Sequence, residues 1–211
     1  MRFPIVAVFA LLLAAAPAQA QDPVTIVAFG DSLTAGYQLG PDEGFAERLQ
    51  ARLAERGENV VVVNAGVSGD TTSGGLARLD WSVPADADGV ILELGGNDAL
   101  RGIDPATTEA NLDRMLTLLS ERDLPVLLAG MRAPPNMGAD YEGRFNPIFE
   151  ALARRHDAIY YPFFLDGVAG DPALGLGDGI HPNAEGVDVI VDKILPSVEK
   201  LIARIRRRAP S

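Results

Sequence analysis

Residues 24–33 read V-T-I-V-A-F-G-D-S-L, an apolar run that ends at glycine and is followed directly by aspartate and serine. Apolar, β-branched runs of this kind recur along the chain. They cover residues 24–29, 60–64, 89–94, 126–130 and 158–163. Each run is nearly continuous, a pattern typical of strands that are covered on both faces of a parallel sheet. The sequence therefore predicts five parallel strands.

Helical patterns lie between most of these runs, at residues 44–56, 105–122, 141–155 and 184–206. The second has a strong start signal, because Asp104 can cap the helix ahead of Pro105. Residues 72–81 are ambiguous and are compatible with a short helix. The alternation of strands and helices predicts an α/β fold. We expect a flavodoxin-like, three-layer, doubly wound five-stranded parallel sheet with strand order 2-1-3-4-5, in one domain over residues 21–211.

The first residues have the pattern of a secretory signal peptide. Arg2 is positively charged, residues 5–16 are apolar, and Ala18-Gln19-Ala20 is a small-x-small cleavage site. The apolar run is shorter than the roughly 20 residues that span a bilayer, which disfavours the alternative of a membrane anchor. We therefore expect a signal peptide over residues 1–20 and a periplasmic or secreted bacterial protein without a stable membrane anchor.

The composition argues against several classes of protein. The chain has no cysteine, so it can form neither a disulfide nor a thiolate metal site. Its formal net charge of −11 opposes binding to nucleic acid or to an anionic membrane surface. The arginines within residues 204–208 are an exception, either a solvated helix end or a tail that binds a partner. We expect no metal, no cofactor, no nucleic-acid partner and a monomeric protein.

Polar motifs follow four of the five predicted strands. Residues 31–32 come after the first strand, 66–70 after the second, 95–98 after the third, and 178–181 after the fifth. The carboxyl ends of parallel strands meet at one edge of the sheet, which is where ligands bind in such folds. We therefore expect these residues to surround one site.

Ser32 and the two histidines are the first candidates for chemistry. Ser32 suits a helix-capping role, and equally a nucleophile whose own amide can stabilise an oxyanion at the helix start. His181 lies three residues after Asp178, a spacing that lets the carboxylate orient the imidazole toward Ser32. Asp178 is alternatively a turn residue beside Gly179. His156, the other histidine, lies at a predicted helix end, where we expect a solvated side chain.

Gly69 and Asn97 are candidates for stabilising negative charge. Gly69 has a turn interpretation, since glycine permits positive φ, and a functional one, since its amide is not shielded by a side chain. Asn97 follows two glycines, and it either forms a turn with its own backbone or aims its side-chain NH₂ at an oxyanion. The sequence alone leaves both choices open.

Four blocks of sequence, taken together, resemble those of the SGNH hydrolases, also known as GDSL esterases and lipases. The blocks are G-D-S-L-T-A-G-Y at 30–37, V-S-G-D-T-T at 67–72, G-G-N-D at 95–98 and D-G-I-H-P at 178–182. They occur in the family order and extend over most of the chain. Within the family the chain is most similar to bacterial periplasmic thioesterases and lysophospholipases, which share R-L-D after the second block and L-R-G after the third.

This resemblance implies an SGNH hydrolase fold and a role for each matching residue. Ser32 would be the nucleophile, His181 the base and Asp178 the group that orients the base. The amides of Ser32 and Gly69 and the side chain of Asn97 would form the oxyanion hole. The substrate would be a small-molecule acyl ester, acyl thioester or lysophospholipid.

The segment after the fourth strand, residues 131–143, matches a family loop that shapes the acyl pocket. Its apolar residues are Met131, Pro134, Pro135 and Met137. We expect them to contact the acyl chain, although a plain connector packed on the core is the alternative. Two other functions stay open at this point: a carbohydrate acetylesterase with a more polar pocket, and a non-catalytic protein that binds an anion at the same glycine-rich loops.

Overall fold

The computed structural model describes residues 22–208, and these form one parallel sheet with helices on both faces. The strands are β1 (Val24–Gly30), β2 (Val60–Gly66), β3 (Gly89–Glu93), β4 (Val126–Ala129) and β5 (Ile159–Tyr161). All neighbouring strands pair in parallel, in the order β2-β1-β3-β4-β5. Strands β3 and β4 are buried along their whole length, as their continuous apolar runs predict. The predicted fold class and strand order are confirmed.

Eight helices connect and follow the strands in the described chain. They are α1 (Ser32–Ala35), α2 (Phe45–Glu55), α3 (Thr72–Ser82), α4 (Gly96–Leu100), α5 (Pro105–Glu121), α6 (Ala139–Phe145), α7 (Ile148–Arg155) and α8 (Ala184–Arg208). Helix α2 packs against α8 on one face of the sheet, whereas α3, α5 and α7 pack in sequence on the other. The core between these layers contains fully buried phenylalanines and leucines, among them Phe29, Phe149 and Leu92.

Two helical segments differ from their predicted form. Residues 141–155, predicted as one helix, form α6 and α7, which are separated at Asn146 and Pro147. Proline has no N–H to continue the helical hydrogen bonds, and its ring crowds the carbonyl four residues earlier. The ambiguous residues 72–81 are helical, because the side chain of Thr71 caps α3 by accepting a hydrogen bond from the N–H of Gly74.

The signal peptide expected over residues 1–20 lies outside the described residues. Within residues 22–208, no helix combines the length and the apolar character needed to cross a bilayer.

Candidate active site

The candidate site begins where β1 ends. Asp31 is the N-cap of α1, and its Oδ1 atom accepts a hydrogen bond of 3.0 Å from the N–H of Leu33. Ser32 is thus the first residue of a short helix at the carboxyl edge of the sheet, where helical amides have no acceptor within the helix. The side chain of Ser32 is nearly buried, at 8% exposure. This position places its hydroxyl just beyond the end of β1, an interior strand of the sheet.

Hydrogen bonds link Ser32, His181 and Asp178 in one line. The Nε2 atom of His181 lies 2.9 Å from Oγ of Ser32, and its Nδ1 atom lies 2.6 Å from Oδ2 of Asp178. When Nδ1–H donates to the carboxylate, Nε2 is free to accept the serine proton. The arrangement can therefore activate a serine hydroxyl as a nucleophile.

Asp178 is held in its ionised form by its own loop. Its Oδ1 atom accepts hydrogen bonds from the backbone N–H groups of His181 (3.0 Å) and Ile180 (2.9 Å). These two bonds, followed by the bond from the imidazole, lower the pKa of Asp178 to about 2. A carboxylate that stays charged at neutral pH keeps the imidazole in one tautomer and one orientation.

Backbone contacts and one aromatic ring hold the loop that carries His181. Gly175 and Pro182 form an antiparallel bridge, and the carbonyl of His181 accepts a hydrogen bond of 2.8 Å from the N–H of Leu176. The ring of Tyr37 lies 4.4 Å from the imidazole, measured between ring centres, at a tilt of 37°. The imidazole therefore packs between its own loop and the segment that follows α1.

Asn97 lies in the first turn of α4, at the carboxyl end of β3. Its Nδ2 atom donates a hydrogen bond of 3.0 Å to Oδ2 of Asp31, so the carboxamide NH₂ lies beside the segment that carries Ser32. Asn97 lines the same cavity as Ser32 and His181. Because an amide nitrogen carries two protons, the second one remains available to a substrate.

Gly69 belongs to the loop after β2 and has a φ of +81°, a conformation that side chains disfavour. Its carbonyl accepts a hydrogen bond of 2.7 Å from Arg101, the residue that ends α4. This bond joins the Gly69 loop to the helix that carries Asn97. Gly69 itself does not line the cavity that Ser32, Asn97 and His181 share.

The segment around Ser32 also contacts a second buried carboxyl group, that of Glu93. Oε2 of Glu93, at the end of β3, accepts hydrogen bonds from the hydroxyl of Thr34 (2.7 Å) and from the N–H of Asp31 (3.3 Å). A Cβ atom on Gly30 would collide with Thr34 and Glu93, so this close approach requires glycine. Burial and the neighbouring charge of Asp31 raise the pKa of Glu93 well above its ordinary value. Burial likewise raises the pKa of Asp31, to about 6.

Arg78 on α3 connects the end of β1 to the loop after β2. Its Nε atom donates to Asp70 at 2.7 Å, and one terminal nitrogen donates to the carbonyl of Gly30 at 2.8 Å. Its guanidinium also lies over the ring of Phe29, 4.0 Å from the ring centre. A buried arginine is stable only with such partners, and here the partners are the segments that flank Ser32 and Gly69.

An apolar cavity of about 480 Å³ opens beside Ser32. Met131, Pro134 and Pro135 line it, as expected from the sequence, together with Phe163 and Ile180 among others. Met137 is not among its lining residues. It is the last residue of a single 3₁₀ turn, Pro135–Met137, and packs against the core, with its methyl group close to Gly102. The expectation that Met137 faces the cavity is therefore not met.

His156 differs from its expected solvated state. Its side chain is 15% exposed, and its Nε2 atom lies 2.8 Å from Oδ1 of Asp113 on α5. Arg155 contacts the same carboxylate, and the two contacts lower the pKa of Asp113. The pair ties the end of α7 to α5, on a part of the molecule that does not line the cavity.

Sequence reasoning did not single out Glu93, Arg78 or Tyr37. A charged residue at position 93 inside an apolar run was a signal that could have marked a buried functional group. Tyr37 ends the first sequence block and Arg78 begins the R-L-D that follows the second, but their contacts depend on tertiary packing. No cluster of three or more His, Cys, Asp or Glu side chains suited to a metal ion occurs within residues 22–208.

Comparison with known proteins gives consistent similarities over most of the chain. Residues 28–189 match the GDSL-like Lipase/Acylhydrolase family. The chain is 38% identical to Esterase TesA of Pseudomonas aeruginosa, over 92% of this chain and 95% of that protein. It is 35% identical to Thioesterase 1/protease 1/lysophospholipase L1 of Escherichia coli strain K12, over 84% of this chain and 85% of that protein. Its fold matches the crystal structure of AlinE4, an SGNH-hydrolase family esterase, with a TM-score of 0.73 and 44% identity over 86% and 98% of the two chains.

Proposed function

Because this chain belongs to the GDSL-like lipase/acylhydrolase family of ester-hydrolysing serine hydrolases, we propose that it cleaves acyl esters and acyl thioesters through a covalent acyl-enzyme. The observation that carries the proposal is the continuous hydrogen-bonded line from Ser32 through His181 to Asp178. A protein that only bound an anion would not need a base hydrogen-bonded to a hydroxyl at the same site.

The reaction begins with attack of Ser32 Oγ on the substrate carbonyl carbon. His181 Nε2 takes the hydroxyl proton, and Asp178 stabilises the resulting imidazolium. The C–O or C–S bond to the leaving group then breaks, and His181 gives its proton to that group. A water molecule repeats the sequence on the acyl-serine, which releases the carboxylic acid and regenerates the hydroxyl.

The negative charge on the tetrahedral intermediate needs fixed donors. We assign this role to the amides of Ser32 and Gly69 and to the side-chain NH₂ of Asn97. Preorganised donors of this kind contribute roughly 3 kcal/mol each to transition-state stabilisation. The position of Asn97 on the cavity wall supports its assignment. The assignment of Gly69 rests on its exposed backbone in the left-handed conformation and on the family resemblance.

The cavity supports an acyl chain as the group that the enzyme holds. Its walls near Ser32 are formed by methionine, proline, phenylalanine and isoleucine side chains, which suit methylene groups. A carbohydrate acetylesterase would need polar side chains to bind sugar hydroxyls at this place. We therefore favour fatty acyl esters and thioesters, including lysophospholipids, over acetylated sugars.

The proposal also covers where the protein acts. The small-x-small motif at Ala18-Gln19-Ala20 supports cleavage of a signal peptide after residue 20 and export to the periplasm or beyond. Without that peptide the protein would act as a monomer on small-molecule acyl substrates.

Turnover measured on a series of substrates tests the function. The purified protein without residues 1–20 is assayed on p-nitrophenyl esters from acetyl to palmitoyl, and on matched acyl-CoA and lysophospholipid. We expect hydrolysis of esters and thioesters, its loss in Ser32→Ala, and its retention in Ser68→Ala, an exposed serine on the neighbouring loop. Equal activity in Ser32→Ala, or no hydrolysis of any of these substrates, would contradict the proposal.

A further inference from the structure

Asp31 contacts the oxyanion side of the site directly, although it is not a member of the Ser-His-Asp line. One oxygen of its carboxyl group, Oδ1, accepts from the N–H of Leu33 and thereby caps α1. The other oxygen, Oδ2, accepts from Nδ2 of Asn97 at 3.0 Å. Both oxygens are therefore occupied, and Asp31 itself is only 2% exposed.

This contact selects one of the two possible orientations of the Asn97 carboxamide. A carboxamide has nearly the same shape after a 180° rotation, but its NH₂ donor and its oxygen acceptor have then exchanged places. An ionised carboxylate only accepts, so Asp31 selects the rotamer that places NH₂ on its own side. The reversed rotamer would place Oδ1 of Asn97 against Oδ2 of Asp31 and turn the donor away from the segment that carries Ser32.

Burial raises the pKa of Asp31 to about 6, a value that leaves its carboxylate mainly ionised at pH 7. The charged or titratable groups that face it are Glu93, Asp70 and His181. Glu93 is fully buried, and burial together with the charge of Asp31 raises its pKa and so favours its protonated form. Against the effect of burial, the hydrogen bonds from Leu33 and Asn97 and the nearby His181 lower the pKa of Asp31, whereas Asp70 raises it.

We propose that Asp31 is a positioning residue that fixes the side-chain NH₂ of Asn97 toward the oxyanion. It acts through Asn97 and does not touch the substrate in this role. The inference rests on the proposed function, since it concerns the transition state of that reaction. It assigns to Asp31 a task beyond capping α1 and beyond placing Ser32 at the helix start.

Asp31→Asn separates the positioning role from the capping role. Asparagine is as good an N-cap as aspartate, so its Oδ1 atom can still accept from Leu33. Its NH₂ then replaces the acceptor that faces Asn97, and two NH₂ groups cannot hydrogen-bond to each other. We expect Asn97 to rotate and present its oxygen to residue 31, which removes the donor from its position. Asp31→Ser, which keeps a cap but does not reach Asn97, is a second variant in case the first does not fold.

A double-mutant cycle on kcat and KM tests the proposal. Asp31→Asn should lower kcat by about 10²-fold, with KM changed by less than about threefold. In the Asn97→Ala background the same substitution should lower kcat by less than about threefold, because the donor is already gone. Asp104→Asn is the matched control, since Asp104 caps α5 in the same way without lining the cavity. It should leave kcat unchanged.

Different outcomes separate the two proposals. If the unmodified protein hydrolyses no ester, the proposed function fails. If it is active but Asp31→Asn and Asp31→Ser keep its kcat, or lower kcat by the same factor with and without Asn97, the positioning role is wrong. Equal loss in both backgrounds would mean that Asp31 acts only on the fold or on Ser32.

Discussion

Oγ of Ser32 and Nε2 of His181 lie 2.9 Å apart, although 149 positions separate the two residues in the chain. The serine follows β1, an interior strand paired with β2 and β3, and the histidine lies in the loop between the edge strand β5 and α8. Parallel strands all deliver their carboxyl ends to the same edge, so the two ends of the chain meet there.

The two histidines should respond differently to the same substitution. His181→Asn removes the only base in contact with Ser32 among the described residues, and we expect kcat to fall by roughly 10⁴–10⁶-fold. His156→Asn removes only a contact with Asp113, which keeps its bond to Arg155, so stability should fall by at most about 1 kcal/mol. Steady-state kinetics and urea unfolding check both. An inactive His156→Asn variant with active His181→Asn would reverse the assignment.

Asn97→Ala should affect the transition state more than the bound substrate. Its NH₂ acts on charge that develops only during the reaction, so we expect kcat to fall by roughly 10²–10³-fold with KM nearly unchanged. The measurement is the full dependence of rate on p-nitrophenyl ester concentration. A large rise in KM with normal kcat would instead make Asn97 a residue that binds the substrate ground state.

Glu93→Gln should change how stability depends on pH. The folded-state pKa of Glu93 is raised, so folding favours its protonated form. The resulting stability is complete below the ordinary carboxyl pKa and decreases as the pH rises toward the folded-state value, by at most about 1.4 kcal/mol per pH unit. Glutamine has the same shape and does not titrate. Between pH 5 and pH 8 the wild type should therefore lose stability relative to Glu93→Gln.

Urea unfolding across that pH range measures this difference. Glu185→Gln, at an exposed position in the first turn of α8, is the control and should run parallel to the wild type. Asp31 also has a raised pKa and remains in both proteins, so it affects the absolute slopes more than their difference. If Glu93→Gln also ran parallel to the wild type, Glu93 would be ionised in the folded protein.

The loop over the cavity should tune acyl chain length. Pro134 and Pro135 line the cavity, so replacement of Pro134-Pro135-Asn136 by Gly-Gly-Ser should change its shape without touching Ser32 or His181. Each methylene gained or lost is worth at most about 0.8 kcal/mol, so the preferred length should shift gradually. We expect a new optimum on the ester series, with the acetyl ester rate within a few-fold of normal. One common factor at every length would show that the loop affects folding or catalysis instead.

Local patterns were sufficient to predict the sheet and the residues that meet at its edge. Continuous apolar runs identified all five strands, and the rule for carboxyl ends brought Ser32, Asn97 and His181 to one cavity. The break between α6 and α7 was also within reach, because Pro147 interrupts the helical pattern. It was missed because the apolar spacing continues across the proline.

Side-chain partners from different elements were not predictable in the same way. Met137 lies three residues from the cavity-lining Pro134, but it ends the 3₁₀ turn Pro135–Met137 and packs against the core. His156 meets Asp113 only after α5 and α7 pack together. Glu93 is a charge in an apolar run that was not singled out, and nothing in the sequence indicated that Asp31 and Thr34 would be its partners.

Covalent labelling at a single residue tests the central claim most directly. The protein is treated with a fluorophosphonate, which reacts with activated serines, and the adduct is located by intact mass and peptide mapping. We predict one adduct, on Ser32, and none in either Ser32→Ala or His181→Asn. No adduct on the active protein, or an adduct on another serine that persists in Ser32→Ala, would contradict the account of Ser32 as a nucleophile activated by His181.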